Sequence, residues 1–163
     1  LSSTAEMEVI TAAIDAEAAT QPVWISFSLP DGFEDGRVAI RSGETPADLV
    51  RSTRRTARPV EALLFNCSLP EQTGPAHREL REVVDRAGLD LRTGGYANAF
   101  PTSREDTYAA NEVIFERRTE LTAVRYADDV AGWVADGATI VGGCCDMYPE
   151  HIAALADRFT EPR

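Results

Sequence analysis

The chain has 163 residues, 44% apolar and 26% charged, enough for one domain with a core of its own. Its 16 basic and 27 acidic side chains leave a net charge of −11, a field that opposes phosphate binding and argues against a nucleic-acid partner. No apolar run of about 18 residues and no basic leader before a short apolar core occur, so neither a membrane span nor a secretory signal is expected.

All the basic residues are Arg, which removes Schiff-base and phosphate-loop lysines from consideration within this segment. The first residue is Leu1, and a processed chain or a fragment is the expectation.

Helical and strand signals alternate along the chain. Ser3 or Thr4 caps a helix running to about Ala19, with Met7, Ile10 and Ile14 at helical spacing and Glu6 and Glu8 in its first turn. Val23 to Leu29 is a β-rich run closed by the turn Pro30-Asp31-Gly32. Thr45-Pro46 opens a helix to about Thr56, and Glu61 to Cys67 follows as the second strand. A helix from about Gly74 to Ala87 carries Leu80, Val83 and Val84, with Gly88 as its C-cap. Leu89 to Asn98 is a third strand weakened by Gly94 and Gly95. Residues 99–119 read as a long loop with some helix. Leu121 to Asp136 is a helix with Val124, Ala127, Ala131 and Val134 inward, Ala138 to Gly143 is the fourth strand, and Pro149 starts a last helix through Ile152 and Leu155.

Four helix–strand units and a closing helix imply a parallel sheet with right-handed crossovers. A doubly wound open sheet and part of a (β/α)8 barrel both fit, the latter needing about 250 residues for eight strands. The three cysteines suit neither a disulfide framework nor secretion, since Cys144 and Cys145 are neighbours and the count is odd. A reducing, cytoplasmic setting is expected, where Cys sets bind metals or catalyse.

Cys67 closes the second strand, and Cys144 and Cys145 follow the fourth. In parallel α/β folds these strand ends share one face, so residues 77 positions apart reach one rim. Three thiolates with one open position suit a catalytic zinc site, and Gly142-Gly143 are expected to let the backbone turn so that two successive thiols approach one ion. The competing reading is of three small buried apolar residues.

Asn66-Cys67 at a strand end, Gly137 to Cys145 reading Gly-Ala-Thr-Ile-Val-Gly-Gly-Cys-Cys, Trp133 upstream and Pro149-Glu150-His151-Ile152 downstream resemble the homocysteine S-methyltransferase family. Val23-Trp24-Ile25-Ser26-Phe27 is similar to the family's fifth strand. Tyr96-Ala97-Asn98 is similar to its Tyr-Pro-Asn segment, with Ala97 in place of Pro. The resemblance covers nearly the whole chain. It implies an α/β fold forming the C-terminal half, the last four β/α units, of a (β/α)8 TIM barrel, with residues 1–163 a partial homocysteine-binding domain. It implies Zn2+ on Cys67, Cys144 and Cys145. The earlier strands would supply an Asp-Gly-Gly segment and a Glu that hold the amino acid.

The implied reaction is methyl transfer to homocysteine from S-methylmethionine, S-adenosylmethionine or betaine, giving methionine; methyltetrahydrofolate fits less well. Asn66, Trp24, Phe27, Tyr96 and Asn98 are candidate substrate contacts, with Phe100 also near the mouth. Asp31, Glu34 and Asp35 could face a cationic donor or be solvated surface, and His77 and His151 read as structural. Two other readings stay open, a non-catalytic zinc-binding half-barrel and a thiol redox protein. Half a barrel would also leave open edges that invite a complementary half or a second copy.

Overall fold

A computed structural model describes residues 1–101 and 118–160. The expected loop at 99–119 falls mostly outside the described residues. Five helices and four strands alternate: α1 (Thr4–Ala16), β1 (Val23–Phe27), α2 (Pro46–Ser52), β2 (Val60–Asn66), α3 (Pro70–Arg86), β3 (Arg92–Ala97), α4 (Ala123–Ala135), β4 (Ile140–Gly143) and α5 (Pro149–Phe159). Short 3-10 turns at Glu34–Gly36 and Thr53–Arg55 complete the described elements.

Local chemistry accounts for most of these boundaries. Ser3 accepts the Glu6 N–H at the start of α1 while the Glu6 side chain returns the bond, and Thr45 and Asp48 do the same for α2. Thr122 caps α4 in the same way from one side. The helix α3 starts four residues before the expected Gly74, because Pro70 takes the first helical position. Gly94 would place a Cβ 1.8 Å from the Ile140 carbonyl oxygen, so no side chain fits there. Gly94 therefore permits the close approach of β4, and Gly95, whose Cβ would lie 2.9 Å from the Phe65 carbonyl oxygen and from Thr73 Cγ2, leaves room for β2 and α3, so neither weakens the strand.

The strands pair in parallel in the order β1-β2-β3-β4. Each step moves in one direction, so right-handed crossovers put every connecting helix on the same side of the sheet. A doubly wound sheet reverses direction and covers both faces, and this order excludes it. Ile25, Phe27, Leu63 and Phe65 meet Met7, Leu49, Leu80 and Val84 in one core cluster. A second cluster under β3 and β4 gathers Ala97, Tyr126, Val130, Trp133 and Leu155. Each fully buried Leu or Phe contributes about 1.5–3 kcal/mol.

The inward stripe of α4 differs from expectation. Ala127 is buried and Val134 packs partly against the same cluster as expected, but Val124 is exposed and Tyr126, Val130 and Trp133 are buried, so the inward face is shifted by roughly one residue. The aromatic rings bury more area than the Val and Ala stripe would, and packing selects the face that hides them. Tyr126 and Trp133 meet edge to face with centroids 6.0 Å apart.

The opposite sheet face carries Trp24, Ser26, Leu64, Asn66, Arg92 and Tyr96, the alternate residues of β1 to β3. Arg92 lies 4.7 Å over the Trp24 ring, and the Tyr96 hydroxyl donates to Ser26 Oγ at 2.7 Å. These two bridges span β2 from its neighbours and cover Ala62 and Leu64, both buried. Trp24 itself stays 48% exposed, and on the other side of the β1 edge Val9 of α1 is 70% exposed.

Candidate metal centre

All four strands run the same way, so their carboxyl ends form one rim, and the loops leaving that rim are laced together. Ser68 accepts the Leu29 N–H at 2.8 Å and donates to the Asn66 carbonyl at 2.9 Å, while its own carbonyl accepts the Asn98 N–H at 2.9 Å. The loops after β1, β2 and β3 are thereby fixed to one another. Cys144 N–H donates to the Ala97 carbonyl at 2.8 Å and the Cys145 carbonyl accepts from Ala99 N–H at 3.0 Å, which adds the loop after β4.

The backbone turns where the thiols are presented. Cys67 has φ 48°, a left-handed conformation that costs a non-glycine residue about 1–3 kcal/mol, and its N–H is held by the Tyr96 carbonyl at 3.0 Å. Asp146, at φ 60°, closes the tight turn that begins at Cys144, with Met147 N–H on the Cys144 carbonyl at 3.2 Å. Gly142 and Gly143 both have ordinary negative φ, contrary to the turning role expected of them. Gly143 is needed for space: a Cβ there would lie 2.6 Å from Met147 Cβ.

The three thiols converge. Cys67 and Cys145 Sγ atoms are 3.5 Å apart, Cys144 and Cys145 Sγ atoms 3.9 Å, and all three lie within 4.8 Å of one another. Tetrahedral coordination with sulfur bonds of about 2.3 Å needs sulfur–sulfur edges of roughly 3.8 Å. The three thiols, all free, therefore fit a single tetrahedral ion with one position left over. Cys145 is exposed, and Cys67 and Cys144 are half-buried, so that position is open to a ligand.

The electrostatics agree with a cation. Burial pushes the Cys67 thiol up, but hydrogen bonds from Cys144, Cys145 and the Asn98 amide outweigh it and hold Cys67 below the ordinary thiol value. Burial, then the hydrogen bond and charge of Cys67, push Cys144 up to about 12. Cys145 is raised by the same causes in the same order. Three sulfurs this close cannot all ionise without a positive charge between them.

The other sequence-predicted residues separate into groups. Asn98 is fully buried, and its side-chain amide reaches Cys67 Sγ at 3.8 Å while its carbonyl oxygen accepts Phe100 N–H at 3.1 Å. It braces the Cys67 thiol from below. Asn66 and Tyr96 lie on the open sheet face at the rim, Asn66 with its oxygen 3.5 Å from Ser28 Oγ. Phe27 is fully buried on the helix side among the core residues, so the expectation that it lines the mouth is corrected: strand alternation turns it away. Trp24 shares the open face but pairs with Ala62, five residues before Cys67, which puts it roughly 16 Å down the strand. It belongs to the far end, under Arg92. Glu34 and Asp35 sit exposed on the 3-10 turn after β1.

His151 is buried; its Nδ1 accepts Tyr148 N–H at 3.1 Å, so Nε2 donates to the Leu121 carbonyl at 3.1 Å. Two rim residues escaped the sequence reading, Ser68 and Tyr126. The signal for Tyr126 was a polar-tipped ring on the apolar stripe of α4.

A homocysteine S-methyltransferase family model matches residues 1–159. This chain belongs to the homocysteine S-methyltransferase family. It is similar to homocysteine S-methyltransferase 2 of Zea mays, with 28% identity over 82% of this chain and 35% of that protein. Homocysteine S-methyltransferase 2 of Arabidopsis thaliana is 25% identical over 87% of this chain and 38% of that protein. Among solved structures, the metallated form of the homocysteine methyltransferase MmuM from Escherichia coli superposes with a TM-score of 0.67 at 25% identity, over 97% of this chain and 42% of that one. The chain thus spans about two fifths of the length of these relatives.

Proposed function

We propose that this homocysteine S-methyltransferase chain provides the metal-holding half of the active site, with Zn2+ held by Cys67, Cys144 and Cys145 and homocysteine as methyl acceptor. The convergence of three free thiols within 4.8 Å carries the reading. Bound there, Zn2+ would supply the charge that keeps a fourth sulfur, that of homocysteine, as a thiolate at neutral pH. The chain's own residues hold the remaining arrangement: Cys67, fixed by Tyr96 and Asn98, and the Cys144–Cys145 turn, fixed by Ala97 and Ala99, set the direction from which that sulfur is presented.

In the transfer itself the homocysteine sulfur forms a bond to the methyl carbon of a sulfonium or ammonium donor. The donor's carbon–heteroatom bond breaks, with its electron pair left on the sulfur or nitrogen. No proton moves in that step, which accords with a rim without a histidine among the described residues: His77 and His151 are both buried in packing roles. Asn66 and Tyr96, where the open sheet face meets the rim, border the end from which substrates enter. S-methylmethionine, S-adenosylmethionine and betaine are donors of the right charge.

The same reading makes the four β/α units the second half of an eight-stranded barrel. Sequential parallel order, helices on one side only and coverage of 42% of the MmuM structure support it. The groups that hold the amino and carboxyl ends of homocysteine then lie outside this chain. Isolated, it binds one Zn2+ and forms little or no methionine.

The test is metal stoichiometry with the purified chain. One Zn2+ per chain is expected, lost in Cys67→Ala. Turnover with a dithiol reductant and no metal would instead identify a thiol redox protein.

A further inference from the structure

We propose that Tyr126 is a positioning residue of the metal centre: its buried hydroxyl joins the ends of β3 and β4 and so sets the spacing of the thiols. The ring comes from α4, in the helix layer, and is fully buried. Its hydroxyl donates to the Gly142 carbonyl at 2.6 Å and accepts from Ala97 N–H at 3.2 Å. Those two groups border the last pairs of the β3–β4 ladder, Tyr96 with Gly142 and Ala97 with Gly143.

Both anchored strands lead directly into the centre. Gly142 is two residues before Cys144. Ala97 accepts the Cys144 N–H through its carbonyl at 2.8 Å and precedes Asn98, whose amide meets Cys67. A single hydroxyl therefore ties the Cys144–Cys145 turn to the residue that braces Cys67. The ring cannot rotate away, because Trp133 and His151 pack against it with centroids at 6.0 Å and 6.2 Å. A phenol is placed here where a Phe would fill the same volume, and burial raises the cost of leaving its hydroxyl unpartnered.

The inference rests on the proposed zinc site. Its test compares Tyr126→Phe with Thr93→Val, which removes a buried hydroxyl from the opposite end of β3, where Thr93 meets His77 at 3.0 Å. Zn2+ affinity is measured by chelator competition on the 163-residue chain, and metal-free melting is recorded alongside. The cobalt-substituted chain reports sulfur geometry through its thiolate charge-transfer absorption.

Tyr126→Phe should weaken Zn2+ binding about tenfold, the effect of losing an outer support of a metal site, and shift the cobalt band. Thr93→Val should lower melting comparably and leave both metal readouts unchanged. Equal Zn2+ affinity in Tyr126→Phe and the unaltered chain would overturn the inference, as would the same weakening in Thr93→Val. Failure of the unaltered chain to bind Zn2+ would overturn the metal centre itself.

If Tyr126→Phe does not fold, proton resonance on the unaltered chain decides. A slowly exchanging Tyr126 hydroxyl proton that shifts on adding Zn2+ supports the role, and one that does not respond overturns it.

Discussion

At the residue scale the rim depends on atoms that sit where few side chains could. Gly143 and Gly142 are adjacent, yet a Cβ at Gly143 meets Met147 Cβ at 2.6 Å while one at Gly142 finds Tyr96 Cβ at an ordinary 3.7 Å. Gly143→Ala should cost about 1–3 kcal/mol and loosen the Cys144–Cys145 turn, whereas Gly142→Ala should stay within about 1 kcal/mol of the unaltered chain. Denaturant unfolding of the two variants, with Zn2+ titration, checks this asymmetry. Loss of a thiol acts more directly. Cys67→Ala should lower Zn2+ affinity by more than about 100-fold, beyond the range seen for outer supports.

His77 gives a pH prediction at the same scale. Burial, opposed by the Asp136 carboxylate and aided by the Arg81 and Arg78 guanidiniums, lowers it to about 4. Its Nε2 meets Thr93, and its Nδ1 has no partner among the described residues. The folded value lies below the unfolded one of about 6.5, so the unfolded chain takes up the proton first. The stability present above pH 6.5 therefore falls as the pH drops from there to 4, by about 3 kcal/mol. Unfolding free energies measured across that window should flatten in His77→Gln, which keeps a polar end near Thr93 and cannot titrate.

At the scale of elements, caps and ladder ends decide what stands firm. The reciprocal bonds of Thr45 and Asp48 start α2, whose Leu49 and Val50 are buried under β1 and β2. Thr45→Ala should cost about 1 kcal/mol in thermal or denaturant unfolding and leave Zn2+ affinity untouched, because among the described residues α2 makes no hydrogen bond to the rim loops that carry the thiols. Helix α4 behaves differently. Its Tyr126 reaches through the core to the strand ends, so damage to that helix reaches the metal site.

At the scale of the whole molecule the sheet is covered on one side and open on the other. Val9 and Ile10 on α1 and Trp24 on the open face are apolar surfaces beside the β1 edge. A net charge of −11 holds copies of the chain apart and opposes the association that such surfaces invite. Raising the salt concentration screens that repulsion, so light scattering should show self-association that grows with ionic strength. Val9→Glu with Ile10→Glu should suppress it without lowering the melting temperature of the isolated chain, since neither side chain belongs to the core.

Much was legible before any coordinates. Strand and helix periods, the cap at Thr45, the stops at Gly88 and Gly137, and the position of every cysteine just after a strand are local signals, and local signals travel with the backbone. They indicated a parallel α/β chain with its thiols on one rim. Only the tertiary structure decided which side of each element faces inward. It buried Phe27 on the helix side of the sheet and set Trp24 at the far end of β1, because alternation and register are counted from the strand partners. It also gave the sulfur separations, the left-handed turn at Cys67 and the reach of Tyr126. Each of these joins residues far apart in sequence, and their distances are fixed by packing between layers, which no local pattern encodes.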